Sequence, residues 1–121
     1  MMRVGIDILD AERMDNISKN TAHLKQVFTE QEIEYFTRTK NYLPRLAGMY
    51  CAKEAFLKAL GIGVRNGISF LEIEVDHEES GRPIYKLSEH IKDILKTLRI
   101  FDVQLSISHT DKFATAICIM N

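Results

Sequence analysis

A long apolar segment in the middle of the chain constrains the fold most, because it predicts a helix that other elements must cover. Pro44 stands where a first helical turn accepts proline, and Gly61 stands where helices commonly end in the left-handed conformation. Large apolar side chains on one face and small residues on the opposite face make this helix apolar nearly all round. The small-residue face consists of Ala47, Gly48, Cys51, Ala52, Ala55 and Ala59. We therefore expect a long buried helix over 44–60.

Charged residues interrupt this helix at only four positions, Arg45, Lys53, Glu54 and Lys58. Glu54 and Lys58 are four residues apart, so we expect their side chains to meet at the edge of the small-residue face. On a solvated helix they would be an ordinary ion pair. On a helix this apolar, ionised groups must be paired, bound to a ligand or engaged in chemistry.

Length and composition predict one domain over residues 1–121. The chain is 45% hydrophobic and 27% charged, as is usual for soluble globular proteins. Its net charge of −1 provides no domain-wide basic surface, so we expect no nucleic-acid partner. Without a signal peptide or membrane span we expect a cytoplasmic protein with no membrane partner. Cys51 and Cys118 lack zinc-ligand spacing and are interpreted as reduced core thiols.

The remaining patterns predict an α+β fold, with a mainly antiparallel sheet packed against the long central helix. Val4 to Leu9 is interpreted as a short buried strand, and Thr29 with Glu32 forms a capping box that starts a short helix. Ser88 caps a later helix whose apolar residues recur at helical spacing. Alternating or apolar runs predict further strands at 71–75, 84–87, 103–107 and 113–120.

Two carboxylates and a lysine are the first candidates for chemistry. Asp7 lies inside an apolar strand, where a charge is unfavourable unless it is bound or faces water, and the segment leaves both possibilities open. Asp7 together with Glu54 would make an oxygen-only site suited to Mg²⁺. Lys58, one turn after Glu54, would then point its ammonium at phosphate oxygens. This combination is what phosphoryl transfer requires.

The polar segment Ser106-Ile-Ser-His109 before Asp111 could suggest a hydrolase. Neighbours in one strand and turn rarely converge as a catalytic triad, and a nucleophile elbow is missing, so we do not favour it. His109 could instead donate to a phosphate or be a solvated turn residue. His23, His77 and His90 are interpreted as surface positions.

Taken together, these motifs resemble the holo-acyl-carrier-protein synthases, the small phosphopantetheinyl transferases of bacteria. The resemblance runs nearly end to end. It is carried by Gly5-Ile-Asp-Ile8, Arg13, Phe28-Thr29, Ala52-Lys-Glu-Ala55 with Lys58-Ala59, Gly61-Ile-Gly63, Phe70-Leu-Glu-Ile-Glu-Val75, Gly81-Arg-Pro83 and Leu105-Ser-Ile-Ser-His-Thr110.

The resemblance implies the phosphopantetheinyl transferase fold and a Mg²⁺-dependent activity in fatty acid biosynthesis. Such an enzyme transfers the 4′-phosphopantetheine arm of coenzyme A to a serine of apo acyl carrier protein and releases adenosine 3′,5′-bisphosphate. Asp7 and Glu54 would hold Mg²⁺, and Glu54 would help to deprotonate the serine, directly or through a metal-held water. Lys58 would neutralise charge that develops on the diphosphate bridge.

The resemblance also implies the binding residues and the assembly. Arg13 would receive the acidic recognition helix of the carrier protein, and a homotrimer would share each site across a subunit boundary. Met49 stands where many relatives carry arginine, and Ile62 where threonine is common, so coenzyme A affinity is expected to differ. The residues expected to contact coenzyme A are Arg45, Lys58, Gly61, Gly63, Pro83, His109 and Thr110.

Two other function classes use the same residues. A divalent-metal phosphohydrolase acting on a nucleotide diphosphate needs the same two acids and lysine. A binding module would hold coenzyme A or a carrier protein without turnover. Modification of apo carrier protein distinguishes the transferase from both.

Overall fold

The computed structural model describes residues 1–62 and 67–121. Its strands are β1 (Arg3–Asp10), β2 (Ile73–His77), β3 (Pro83–Leu87), β4 (Val103–His109) and β5 (Phe113–Met120). Its α-helices are α1 (Asp15–Lys19), α2 (Thr21–Val27), α3 (Glu30–Thr37), α4 (Leu43–Leu60) and α5 (Glu89–Thr97). Short 3₁₀ turns at Ala11–Met14 and Phe70–Glu72 precede α1 and β2. This order confirms the predicted α+β arrangement.

All strand pairs are antiparallel, but they form two sheets rather than one. The larger sheet has the order β1-β5-β4, so β1 and β4 are its edges, and β2 and β3 form a separate hairpin. Ala116 at the centre of β5 lies opposite Asp7 on one side and Ile107 on the other. The predicted antiparallel pairing is therefore confirmed, and the sheet that carries Asp7 also carries His109 on its far strand.

Helix α4 lies across the larger sheet and is buried on nearly all sides. It ends at Gly61, whose φ of 76° is left-handed as predicted. A Cβ atom on Gly5 would lie 1.9 Å from the Ala55 carbonyl oxygen and 2.5 Å from the Ala59 nitrogen. Only glycine permits this approach of backbone to backbone. The small-residue face of α4 thus allows close contact with β1.

Strand β1 is buried on one face only, so the expectation of a buried strand is wrong for its other face. Gly5 and Asp7 face α4, while Val4, Ile6 and Ile8 on the opposite face are 53%, 60% and 70% exposed. The reason is topological, because α4 covers one side of the sheet and no described element of the same chain covers the other. An apolar edge strand is thereby left open.

Among the described residues, the fully buried charges are Lys53 and Glu32, not Glu54 and Lys58. The side chains of Lys53 and Glu32 have 0% exposure, whereas Lys58 is exposed and Glu54 is half-buried. Lys53 lies on the side of α4 that faces α3, where its ammonium donates a hydrogen bond to the Glu32 carboxylate at 2.8 Å. Glu32 also completes the predicted capping box with Thr29. The sequence pattern identified the cap but not this second partner.

Both cysteines are buried and free, in agreement with their interpretation as core thiols. Among residues 1–62 and 67–121, none of the helices combines the length and the apolar character needed to span a membrane.

Candidate active site

Asp7 and Lys58 form one contact, although they lie on different elements. The Lys58 ammonium donates to Asp7 Oδ1 at 3.0 Å and to the Ile6 carbonyl at 3.0 Å. Within the described part of the chain no ion pair joins Lys58 to Glu54, so the expected meeting of those two side chains is wrong. The reason is that Gly5 brings β1 so close to α4 that the strand offers Lys58 a carboxylate and a carbonyl together.

Glu54 lies half-buried on the same flank of α4, one turn before Lys58. Burial, followed by the charges of Glu54 and Asp7, raises the pKa of Tyr50 to about 12. Burial and the same two carboxylates, Asp7 first, raise the pKa of Cys51 to about 12. Two carboxylates that act on the same two side chains belong to one negatively charged cluster. Within residues 1–62 and 67–121, Asp7 pairs with an ammonium and Glu54 does not.

This cluster fits a magnesium ion by the chemistry of its donors. Mg²⁺ in proteins is commonly held by one or two carboxylates, and water and substrate phosphates complete its coordination. The Asp7 side chain is 16% exposed and already forms an ion pair with a cation, the Lys58 ammonium. Over the ranges 1–62 and 67–121, no three His, Cys, Asp or Glu side chains are arranged as a metal cage. The two carboxylates therefore suit a metal ion whose other ligands are water and the phosphate oxygens of a substrate.

A second feature is a cleft between α4, the β2–β3 hairpin and the end of β4. It brings together three of the residues expected to contact coenzyme A, namely Arg45, Pro83 and His109. Its full lining is Tyr35, Arg45, Met49, His77, Gly81, Pro83, Ile107 and His109. Arginine and histidine beside apolar walls are suited to a nucleotide, which combines phosphates with a flat base.

His77 lines this cleft, so its interpretation as a surface residue is wrong. Its ring stacks on Tyr35 with centroids 4.0 Å apart, and the Arg45 guanidinium lies 4.7 Å from the Tyr35 ring centre. Burial lowers the pKa of His77, and Arg45 adds to the effect. The sequence could have predicted this inward position, because His77 continues the alternation of Ile73 and Val75 on the inward face of β2.

The carboxylate cluster and the cleft lie on opposite flanks of α4. Arg45 and Glu54 are nine residues apart, which is about 180° of rotation around a helix. Asp7 belongs to one edge strand of the sheet and His109 to the other edge strand. Within one subunit the carboxylate cluster and the cleft are therefore two separate features.

The other predicted residues have separate positions. Gly61 caps α4 near the guanidinium of Arg3, which donates to the Leu60 carbonyl at 3.0 Å. Thr110 Oγ1 accepts from the Phe113 amide at 3.0 Å and shapes the β4–β5 turn. Arg13 is exposed on the 3₁₀ turn after β1. Gly63 lies outside the described residues.

The chain is similar to characterised proteins over nearly its whole length. Residues 3–118 match the family model described as the 4′-phosphopantetheinyl transferase superfamily. A holo-[acyl-carrier-protein] synthase of Caldanaerobacter subterraneus subsp. tengcongensis is 41% identical over 117 residues, covering 96% of this chain and 91% of the relative.

Solved structures of holo-[acyl-carrier-protein] synthases are also similar to this chain over nearly its whole length. A holo-[acyl-carrier-protein] synthase from Neisseria meningitidis has a TM-score of 0.88 at 27% identity, covering 98% of this chain and 97% of the other. One from Helicobacter pylori, in complex with coenzyme A, has a TM-score of 0.83 at 28% identity, covering 98% and 99%.

Proposed function

This chain belongs to the 4′-phosphopantetheinyl transferase superfamily, and we propose that it transfers the 4′-phosphopantetheine arm of coenzyme A to a serine of apo acyl carrier protein. The observation that carries this proposal is the convergence of Asp7, Glu54 and Lys58 beside strand β1. Two acids and a lysine at one accessible site are the groups that a diphosphate substrate needs.

The reaction is a displacement at phosphorus. The serine oxygen of the carrier protein forms a bond to the phosphorus that bears the pantetheine arm, and the bond from that phosphorus to the bridging oxygen breaks. Adenosine 3′,5′-bisphosphate leaves with the bridging oxygen. Glu54 accepts the serine proton as general base, and Lys58 neutralises the charge that the leaving group gains.

Asp7 and Glu54 are the residues that would hold Mg²⁺, which supplies charge neutralisation of the diphosphate when it is bound. Lys58 keeps a carbonyl partner at Ile6 in addition to Asp7. Its ammonium therefore stays beside the cluster whether or not Asp7 is shared with another cation.

The cleft is the proposed site of the nucleotide end of coenzyme A. Arg45 and His109 would contact its phosphates, and Pro83 with Met49 would form its apolar wall. Met49 is buried, so it contributes packing where an arginine would contribute charge. Gly61, Gly63 and Thr110 are proposed contacts as well, with Thr110 acting through the turn that its hydroxyl shapes.

Arg13 is the proposed contact for an acidic segment of the carrier protein, because it is exposed close to the end of the strand that carries Asp7. The cytoplasm is the proposed compartment, and two buried free thiols fit a reducing environment.

We propose that the protein assembles as a homotrimer with each site shared between neighbouring subunits. The open face of β1 exposes Val4, Ile6 and Ile8, and β5 adds half-buried Ile117 and Ile119 beside them. Apolar faces of this kind are typical of subunit interfaces. A shared site would bring the carboxylate cluster of one subunit against the cleft of the next.

The test is the intact mass of apo acyl carrier protein after incubation with coenzyme A, Mg²⁺ and this protein. A gain of one phosphopantetheine, with release of adenosine 3′,5′-bisphosphate, is expected. Hydrolysed coenzyme A with unmodified carrier protein would contradict the transferase and identify a phosphohydrolase. Tight coenzyme A binding without any product would identify a binding module.

A further inference from the structure

The ion pair between Glu32 and Lys53 is buried in the fold but takes no part in the chemistry proposed above. Lys53 Nζ donates to Glu32 Oε1 at 2.8 Å and to the Phe70 carbonyl at 2.8 Å. Glu32 also accepts from the backbone amides of Thr29 at 2.9 Å and Val75 at 2.8 Å. One pair thereby joins α4 to the start of α3, to the 3₁₀ turn before β2 and to β2 itself.

The small-residue face of α4 decides which side of the helix meets β1, but it sets the rotation about the helix axis only coarsely. Thirteen of its 18 residues are buried, and they lie on all sides of the helix. The alanines that face β1 would offer similar small surfaces at neighbouring rotations. A rotation by one residue turns the helix by about 100°, and a much smaller one would separate Lys53 from Glu32.

Separation of this pair is strongly unfavourable, because each charge would remain in the interior without its partner. The hydrogen-bonding partners of the pair, Thr29, Phe70 and Val75, all lie outside α4, so none of them moves with that helix. The pair therefore selects one rotation of the helix, as buried polar groups select one register in coiled coils.

The rotation of α4 decides where the reactive residues point. Lys53 directly precedes Glu54, so the direction of one side chain fixes that of the next. Lys58 follows one turn later on the flank of Glu54 and contacts Asp7 at 3.0 Å. A small rotation would move both residues relative to Asp7, which is held on a separate strand by its sheet partners.

We propose that Glu32 and Lys53 are positioning residues for the transfer reaction, because their buried ion pair sets the rotation of α4 that directs Glu54 and Lys58 towards Asp7. The inference rests on the proposed transferase function, since turnover is one of its two measurements. Neither residue contacts substrate, so their effect reaches the reaction only through α4.

The test is the double variant Glu32→Gln with Lys53→Met, which removes both charges and keeps side-chain volume. The single variant Lys53→Met would leave a buried carboxylate without a partner and is expected to unfold. In the double variant we expect kcat to fall about tenfold or more, since displacements near 1 Å have effects up to about a hundredfold. KM for coenzyme A is expected to rise as well, because Arg45 lies on the same helix and lines the cleft.

The matched control is the double variant Glu34→Gln with Arg38→Met, which removes an exposed ion pair of 3.1 Å from the same helix, α3. It should leave kcat and KM unchanged. A crystal structure of the Glu32→Gln, Lys53→Met protein is the second measurement. A lengthened distance from Lys58 Nζ to Asp7 Oδ1, together with the lowered kcat, would support the proposal.

Native kcat in the folded double variant, or an unchanged Lys58–Asp7 contact in its structure, would overturn the proposal. If the double variant does not fold, Glu32→Asp replaces it, because the shorter acid keeps the charge and shifts Lys53. Native kcat in that variant would equally overturn it. The wild-type protein, assayed in parallel, separates this result from a failure of the transferase function itself.

Discussion

The ammonium of Lys58 lies between a carboxylate and a carbonyl of the same strand, 3.0 Å from each. Glu54 lies on the same flank of α4 as Lys58 but does not take part in its contact with Asp7. Asp7 and Glu54 therefore differ in their surroundings, although both are carboxylates of one cluster. Both carboxylates are proposed to hold the metal, so a change at either one is expected to lower turnover.

Glu54→Gln and Asp7→Asn should each lower kcat by about a hundredfold or more while the protein stays folded, because each removes a proposed metal-holding carboxylate. Glu54→Gln also removes the proposed base. The measurement is the rate of carrier-protein modification over a Mg²⁺ titration, with circular dichroism for the fold. Glu79→Gln in the exposed β2–β3 turn is the control. Native rates in Asp7→Asn at low Mg²⁺ would contradict the metal assignment.

Lys58→Ala should lower kcat by about a hundredfold and change KM for coenzyme A much less, because the charge that it is proposed to neutralise develops only during the reaction. Steady-state kinetics against coenzyme A separate the two parameters. Lys96→Ala, which removes a lysine from the exposed face of α5, should change neither. A change confined to KM would make Lys58 a binding residue.

At the scale of elements, the packing of β1 against α4 requires that Gly5 has no Cβ atom. Gly5→Ala would place its Cβ 1.9 Å from the Ala55 carbonyl oxygen, and backbone cannot give way as a side chain does. We expect a loss of about 3 kcal/mol or more in the free energy of unfolding, measured by urea denaturation. Gly48→Ala is the control, because its Cβ would meet a side-chain methyl group of Ile107 at 2.9 Å rather than backbone atoms. Equal stabilities of the two variants would contradict this account.

Glu72 joins the 3₁₀ turn before β2 to the start of α5. It accepts from the Ser69 amide, the Ser88 hydroxyl and His90. These contacts, the Ser69 amide first, lower the pKa of Glu72 below its ordinary 4.5. A lowered folded pKa means that the stabilisation is complete above the unfolded pKa and is lost as pH falls through the folded pKa.

The free energy of unfolding should therefore decrease as pH falls below about 4.5, and Glu72→Gln should flatten part of that decrease. Urea denaturation at several pH values between neutral and acidic measures both slopes. The exposed Glu79→Gln variant should keep the wild-type slope. If Glu72→Gln also keeps it, the Ser69, Ser88 and His90 contacts do not stabilise the fold in the way described.

For the whole molecule, the proposed sharing of each site between subunits predicts complementation, because the carboxylate cluster and the cleft lie on opposite flanks of α4. Glu54→Gln damages the carboxylate flank and His109→Ala the cleft flank, so mixed trimers would contain some undamaged shared sites. Random assembly of equal amounts should restore about a quarter of native activity. The assay is carrier-protein modification after co-refolding, with the trimer mass checked by light scattering.

A mixture of Glu54→Gln with Asp7→Asn is the matched control for that prediction. Both changes damage the carboxylate flank, so no arrangement of these subunits yields an intact site and activity should stay low. Recovery in neither mixture would contradict shared sites and place each complete site within one subunit.

Much of the fold was predictable from local patterns. Pro44 and Gly61 predicted the bounds of α4 to within one residue, and the Thr29–Glu32 capping box predicted the start of α3. Helix ends and strand alternation are decided by neighbours in the sequence, which is why these predictions are confirmed. The family was likewise predictable, because its motifs are short and ordered along the chain.

Contacts between distant segments were decided by the tertiary structure alone. Lys58 pairs with Asp7 across 51 residues rather than with Glu54 four residues away, and Lys53 pairs with Glu32 across 21 residues. The residue spacing on one helix shows which side chains lie on the same flank. The ion-pair partner of a charged side chain is instead the opposite charge that packing brings nearest. The close approach at Gly5 decided that partner.

The apolar helix from Pro44 to Leu60 shows which properties the sequence determined and which were decided by the tertiary structure. Its sequence determined that it is a helix, that it is buried and that its small face permits close contact. A helix that is apolar on all sides does not specify its own rotation. That was decided by Glu32, β2 and β1, which are distant in sequence and fix the rotation through a buried charge and a backbone contact.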